Sequence, residues 1–291
     1  INTHVVNEYV SQNQFIHKIP DLRMPPVFNA VRTNLPEPIW PARPDVLKCY
    51  WRTWEISFNN LHAATASNHF VSPFINMVFN GNMFMWDTGF MAMYGRYGHR
   101  AFNFQQSLDN FYARQHADGF ICREVRERDG TEVFERYDAS STGPNILPWA
   151  EWAYYQYFND TTRLRQVYAP LLAYYQWLKK YRTWPDGSYY ASGWGCGMDN
   201  QPRVPVGYNV EWDHAHMSWI DTNLQQLLAA KHMQAISNVL GMHDASADFN
   251  NDIAQLTRYV NDNMWDEKTH YYYDRYADGS LSHVKSIAAY W

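Results

Sequence analysis

Between Pro44 and about Ala64 the chain sets Val46, Tyr50, Trp54 and Phe58 at every fourth position, with Leu47, Trp51 and Leu61 beside them. That spacing lines one face of an α-helix and does not fit the two-residue period of a strand. The period returns in Leu164, Val167, Tyr168, Leu171, Tyr175 and Leu178, and again in Phe249, Ile253, Leu256 and Val260. Asp-Gly turns at 118–119, 129–130, 186–187 and 278–279 punctuate the chain, and no long strand pattern occurs. Helical faces that must be buried, joined by short turns, predict an all-α array of helix hairpins. No repeat of fixed length is visible, which leaves a toroid closed on itself as the better fit than a repeat solenoid.

The expected helices follow from their start and stop signals. The first begins at Asp45 as N-cap and runs to about Ala64. The second is entered at Trp86-Asp87 and runs to about Tyr97, with Asp87 readable either as an N-cap or as a carboxylate at the mouth of the barrel. A third spans about Phe102 to His116, a fourth opens at Thr142 and includes Phe158, and a fifth is capped by Asp160-Thr161. A sixth runs from about His214 to a stop at Gly241, and a seventh starts near Ser246. Tyr271-Tyr272-Tyr273-Asp274 together with Asp278-Gly279 read as a short hairpin. About seven helices are fewer than the twelve of a six-hairpin toroid, so the array is expected to be cut before its last pairs. Residues 1–44 hold half of the 14 prolines and read as an extended arm packed on the body formed by 45–291.

A net charge of −5 with no basic run argues against nucleic acid or an anionic membrane as partner. No apolar run approaches the roughly 18 residues that span a bilayer. Cys49, Cys122 and Cys196 form neither a disulfide framework nor a zinc pattern, and no phosphate loop or dinucleotide fingerprint occurs, so no metal or cofactor is expected. No signal peptide is visible, but a mature secreted chain would have lost one, and a periplasmic or secreted location is favoured. Aromatic residues make up 17% of the chain, enough to fill a helical core and also to line a cleft that stacks on sugar faces.

One stretch stands apart: Ser192-Gly193-Trp194-Gly195-Cys196-Gly197-Met198-Asp199-Asn200-Gln201-Pro202-Arg203. Three glycines and a proline exclude a regular helix, and a shaped loop bearing Trp, Asp and Arg is a place for chemistry. A glycine-rich turn with a capping Asp is the alternative. Asp199 could serve as a general acid if burial raises its pKa, while Arg203 nearby would pull the other way.

Phe84-Met85-Trp86-Asp87-Thr88 resembles the Trp-Asp signature of trehalases and glycoside hydrolase family 63. The loop Ser192–Arg203 is similar to the catalytic-acid loop of the same group, in which an Asp is followed by an Arg four positions later. The resemblance covers about residue 45 to the end. It implies an (α/α)6 toroid of the six-hairpin glycosidase type and hydrolysis of an α-linked gluco- or manno-configured glycoside with inversion. It further implies Asp199 as general acid, Trp86 and Asp87 as holders of the non-reducing sugar, Arg203 as the residue that positions or tunes Asp199, and Arg123 and Trp194 as pocket residues. Inversion needs a second carboxylate roughly 6.5–9.5 Å away. In these families it is a Glu of the C-terminal third of the barrel, and no stretch up to Trp291 matches it.

Other clusters compete. Glu211-Trp212-Asp213-His214-Ala215-His216 holds a His-x-His, but the two histidines are expected on different sides of a helix without a third ligand. Glu211 or Asp213 could stand in as base. Ser140-Ser141-Thr142 lacks a nucleophile elbow and reads as a solvated turn. Met77, Met83, Met85, Met91 and Met93 read as packing. Two further functions stay open: a glycan-binding protein without catalysis, and a sugar epimerase or lyase on a similar toroid. The oligomeric state is not legible.

Overall fold

The structure is a computed structural model that describes residues 6–77 and 80–291; the first five residues of the proline-rich arm lie outside the described residues. Helices dominate. In chain order they are α1 (Phe28–Val31), α2 (Pro44–Asn59), α3 (Met85–Gly95), α4 (Asp109–Tyr112), α5 (Leu147–Phe158), α6 (Thr161–Tyr181), α7 (Gly193–Cys196), α8 (Ile220–Leu240) and α9 (His243–Asn263). Among the described residues, three antiparallel pairs of very short strands tie loops together: β1 (Leu61–His62) with β2 (Phe74–Ile75), β3 (Asn82–Phe84) with β4 (Glu124–Arg126), and β5 (Trp265–Asp266) with β6 (Tyr271–Tyr272).

Local chemistry explains the long helices. The Asp160 carboxylate caps α6 by accepting from Thr162 N and Arg163 N at 3.0 and 3.1 Å. Leu164, Val167 and Leu171 of that helix are fully buried, and α6 packs against α5 and α8. Gly241 ends α8 in the left-handed conformation (φ 72°), and the Met242 N–H returns to the Ser237 carbonyl. The chain then reverses into α9, which packs along α8 as a hairpin.

Several expected boundaries move. Pro44 is the first residue of α2, so Asp45 sits in its first turn and not at the N-cap, and the helix stops at Asn59 where the β1–β2 pair begins. The third expected helix is a 3-10 turn (Phe104–Leu108) followed by α4. There Asp109 and Asn110 are buried and bonded to the 71–72 segment and to Arg163, contacts at long range in sequence that periodicity cannot register. α5 begins at Leu147, because residues 142–146 are buried loop. α8 begins at Ile220, not His214: Ala215 and His216 both adopt positive φ and block a helix there.

The arm is held by specific polar contacts. The Asn13 side chain donates to the Tyr112 carbonyl, and Lys18 pairs with Asp109. Arg163 joins this cluster at its centre, donating to both oxygens of Glu151 and to Asp109. The loops before α3, before α5 and between α6 and α8 gather at one end of the helices, where Arg182 at the end of α6 reaches Ser141 and Thr142. The C-terminal ends of α3 and α5 meet at the opposite end, where His99 packs on Phe158.

Candidate active site

The loop end is organised by the β3–β4 ladder. Its register sets Phe84 opposite Glu124. The Met85 N–H then donates to the Arg123 carbonyl at 2.8 Å, so the first turn of α3 and Arg123 share one wall. Arg123 is held from three sides. Its Nε donates to the Ser140 carbonyl at 2.6 Å, one Nη lies 3.2 Å from Glu124, and the guanidinium stacks 4.4 Å above Phe134. Trp194 is next along this wall, 5.9 Å from the guanidinium, and Trp212 packs on Trp194 with centroids 4.0 Å apart.

Asp87 is the third residue of α3, and Phe84, not Asp87, occupies the N-cap. Burial pushes the Asp87 carboxyl up to about 6, against its own backbone N–H and Arg123, and the charges of Asp199 and Glu124 push the same way as burial. Arg123 is in turn lowered by burial, with Glu124, Asp199 and Asp87 opposing. Asp87, Arg123 and Asp199 therefore feel one another.

The loop that carries Asp199 contains one helical turn, α7, despite a glycine content that argues against helix. Ser192 caps it by accepting from Gly195 N at 3.1 Å. Gly197 closes it at φ 78°, and the Trp86 ring lies so near that an added Cβ would sit 2.4 Å from it. Trp86 thus seats directly on the turn that leads to Asp199. The burial expected of Asp199 from its Gly- and Trp-containing loop is absent: the carboxylate is exposed, with no hydrogen bond or ion pair among the described residues.

Arg203 makes no direct bond to Asp199, so it bears on that residue only through the loop they share. It is fully buried and does not face Asp199. It donates to Asp221 at 2.6 and 3.0 Å and to Asp274 at 2.8 Å, with a further bond to the second Asp274 oxygen, and lies 4.4 Å above Trp219. Burial opposes its charge, and Asp221 and Asp274 outweigh burial, so its pKa is above the ordinary value. Arg203 is an anchor that pins the end of the Asp199 loop to α8 and to the segment that follows β6. It has no free donor to offer a sugar.

Three other expectations change. Ser140, Ser141 and Thr142 are buried, not solvated: Ser140 meets the Ser192 hydroxyl at 2.6 Å and donates to the Glu211 carbonyl at 3.0 Å. Their hydroxyls fasten the site loops to one another. His214 and His216 lie in a turn rather than on a helix, with rings 4.8 Å apart and the His216 N–H bonded to His214 Nδ1. No group of three metal-ligating side chains occurs among the described residues. Asp213 turns back onto the Asn209 N–H of its own loop. Phe134, Trp212 and Glu124 were not singled out from sequence as parts of the wall. Only Trp212, beside Glu211 in a loop rich in turn residues, carried any signal.

The Trp86–Gly197 contact gives a matched test. Gly197 and Gly241 close their helices at nearly the same φ and ψ, but nothing lies within 4 Å of a Cβ at Gly241. Gly241→Ala is expected to cost about 1 kcal/mol of left-handed strain. Gly197→Ala should cost about 1–3 kcal/mol more, because Trp86 must move. Equal urea midpoints for the two variants would show that Trp86 does not bear on the turn.

Burial of Asp87 also predicts a pH dependence. The folded protein holds this proton more tightly than the unfolded chain, whose carboxylate has the ordinary value of 3.8. The stabilisation is present below about pH 4 and is lost as pH rises through about 6. Relative to Asp87→Asn, the wild type should lose stability between these values in thermal melts, and a difference flat in pH would refute it.

Residues 80–291 match the family described as mannosylglycerate hydrolase MGH1-like glycoside hydrolase domain. A curated relative, an uncharacterized protein of Borreliella burgdorferi, is 23% identical over 194 residues, and the match spans 67% of this chain but only 39% of that protein. The fold is similar to GH63 mannosylglycerate hydrolase from Thermus thermophilus in complex with glucose, with a TM-score of 0.60 at 18% identity over 82% of this chain and 69% of that one. An uncharacterized conserved protein from the same organism gives 0.61 at 19% identity, covering 82% of this chain and 69% of that one. A structure titled sialidase gives 0.64 at 12% identity, over 98% of this chain and 25% of that one. The mostly helical architecture is thus that of the GH63 (α/α)6 toroid structures over 72–82% of the chain, and the chain belongs to the MGH1-like glycoside hydrolase domain family.

Proposed function

We propose that the protein hydrolyses an α-linked gluco- or manno-configured glycoside with inversion, Asp199 acting as general acid. The observation that carries this reading is the grouping of Asp87 and Arg123 with Asp199, beside Trp86 and Trp194, at the loop end of a GH63-type helical array. An Asp199 carboxyl with no hydrogen bond or ion pair among the described residues can turn toward a glycosidic oxygen and protonate it as the bond breaks. Asp87, with a pKa of about 6, can accept from or donate to sugar hydroxyls near neutrality. The indole rings of Trp86 and Trp194 offer apolar faces for the C–H side of a pyranose, and Arg123 supplies positive charge at the pocket wall.

The attacking water needs a second carboxylate on the opposite face of the sugar. We assign none among the described residues; the resemblance implies a Glu in the C-terminal third of the barrel. Glu211 and Asp213 are weak substitutes, since the Asp213 carboxylate is bonded within its own loop. GH63 mannosylglycerate hydrolase from Thermus thermophilus has been solved with glucose and with Tris and D-glycerate. A hexose α-linked to a small hydroxy acid is therefore the first substrate class to assay.

The test is a panel of α-linked glucosides and mannosides, including glyceric acid conjugates, given to the protein and followed by proton NMR. Release of the β-anomer first is the expected result. Release of the α-anomer would remove inversion. Isomerised sugar without a new reducing end would replace hydrolysis by epimerisation, and saturable binding without turnover would leave a glycan-binding protein.

A further inference from the structure

At the end of α3 opposite Asp87, the side chains of Arg96, His99 and Arg100 border a cavity of about 410 Å³ together with Asn34, Tyr97 and Tyr157. Arg96 follows Asp87 by nine positions, just past the end of α3, about 14 Å along the axis. This is a separate site.

Its charges are unspent. Arg100 makes no hydrogen bond or ion pair among the described residues. Arg96 donates through one Nη to the Tyr97 hydroxyl at 3.1 Å, and its guanidinium lies 5.0 Å from the Tyr97 ring and 6.0 Å from that of Tyr157. Arg96 Nε and His99 Nδ1 are both shut off from solvent without a partner. A buried polar atom left without a partner is costly, and a ligand that reached it would relieve that cost.

The carbonyls at the end of α3 do not use these donors. The Arg96 carbonyl accepts from His99 N at 3.3 Å, and that of Gly98 accepts from Ala101 N and Phe102 N at 2.8 and 3.1 Å. Asp160, the carboxylate that acts on His99, is committed to the N-cap of α6. Burial holds the His99 imidazole below its ordinary value, so at neutral pH the positive charge comes from the two guanidiniums. Arg96 and Arg100 border one cavity, and neither is paired with a carboxylate among the described residues, which suits an oxyanion with its several acceptor atoms. Tyr97 and Tyr157, edge to face at 5.3 Å, form a ring wall beside them.

We propose that this pocket binds a small oxyanion, a phosphate or carboxylate group, remote from the glycoside site. Inorganic phosphate titrated into the protein at constant ionic strength, followed by calorimetry, is the direct test. Wild type, Asp199→Asn and the distant surface variant Arg128→Gln should bind one equivalent with equal affinity. Arg100→Gln and Arg96→Gln should each weaken binding at least tenfold; Arg100 is exposed, so its variant is expected to fold normally. Parallel titrations with a hexose 6-phosphate and with acetate separate a phosphate from a carboxylate preference, and saturable binding of either that depends on Arg100 supports the site. Absence of saturable binding, equal affinity in all variants, or loss of binding in Asp199→Asn would overturn it. None of these readouts depends on hydrolysis.

Discussion

Asp199→Asn is expected to lower hydrolysis of α-glycosides with ordinary sugar or glycerate leaving groups by roughly 10²–10⁴-fold, the usual contribution of a general acid. The same variant should cleave the corresponding glycosyl fluoride nearly as fast as wild type, because fluoride leaves with little protonation. The contrast separates proton donation from a change in pocket shape, which would slow both substrates. Asn is isosteric and the Asp199 side chain is exposed and unpartnered, so urea midpoints should coincide. Equal glycoside rates in the two proteins would remove Asp199 from the chemistry, and equal losses on glycoside and fluoride would make it a binding residue.

Arg203→Met is expected to destabilise the protein by about 3–5 kcal/mol, a large part of the roughly 5–15 kcal/mol that a domain has. The reason is what the substitution leaves behind: Asp221 and Asp274, both at most 1% exposed, would face each other without a cation. Arg203→Lys should recover only part of this, since a single ammonium cannot bridge two carboxylates in a fork. Chemical denaturation monitored by tryptophan fluorescence reads both. If Arg203→Met does not fold, Asp274→Asn supplies the measurement, because it removes one charge and leaves Arg203 paired with Asp221. A loss below about 1 kcal/mol in Arg203→Met would show that the triad does not hold the loop.

The Arg203 case also marks where sequence reading stopped. An Arg four residues after an Asp reads as a pair, yet the chain turns between them. The two side chains leave the loop in different directions, one exposed and one buried. Asp221 and Asp274 are 18 and 71 residues from Arg203, beyond any local pattern. Ser140–Thr142 fails for the same reason: three small polar residues look like surface until their partners from Ser192, Glu211 and Arg182 are known. Conversely, the α6 cap at Asp160 and the Gly241 stop were legible because each depends on contacts within a few residues.

Helical class, the approximate helix faces and the special character of Ser192–Arg203 follow from period, capping chemistry and glycine content, which act over a turn or two of chain. The convergence of Trp86, Asp87, Arg123, Trp194 and Asp199 on one end of the helices belongs to the tertiary structure. It rests on a strand register between residues 82–84 and 124–126, on an indole seated against Gly197, and on an ion triad drawn from three separate segments. Those interactions act through space between groups that lie far apart along the chain, and the burial and charge they create at the loop end set the Asp87 pKa at about 6.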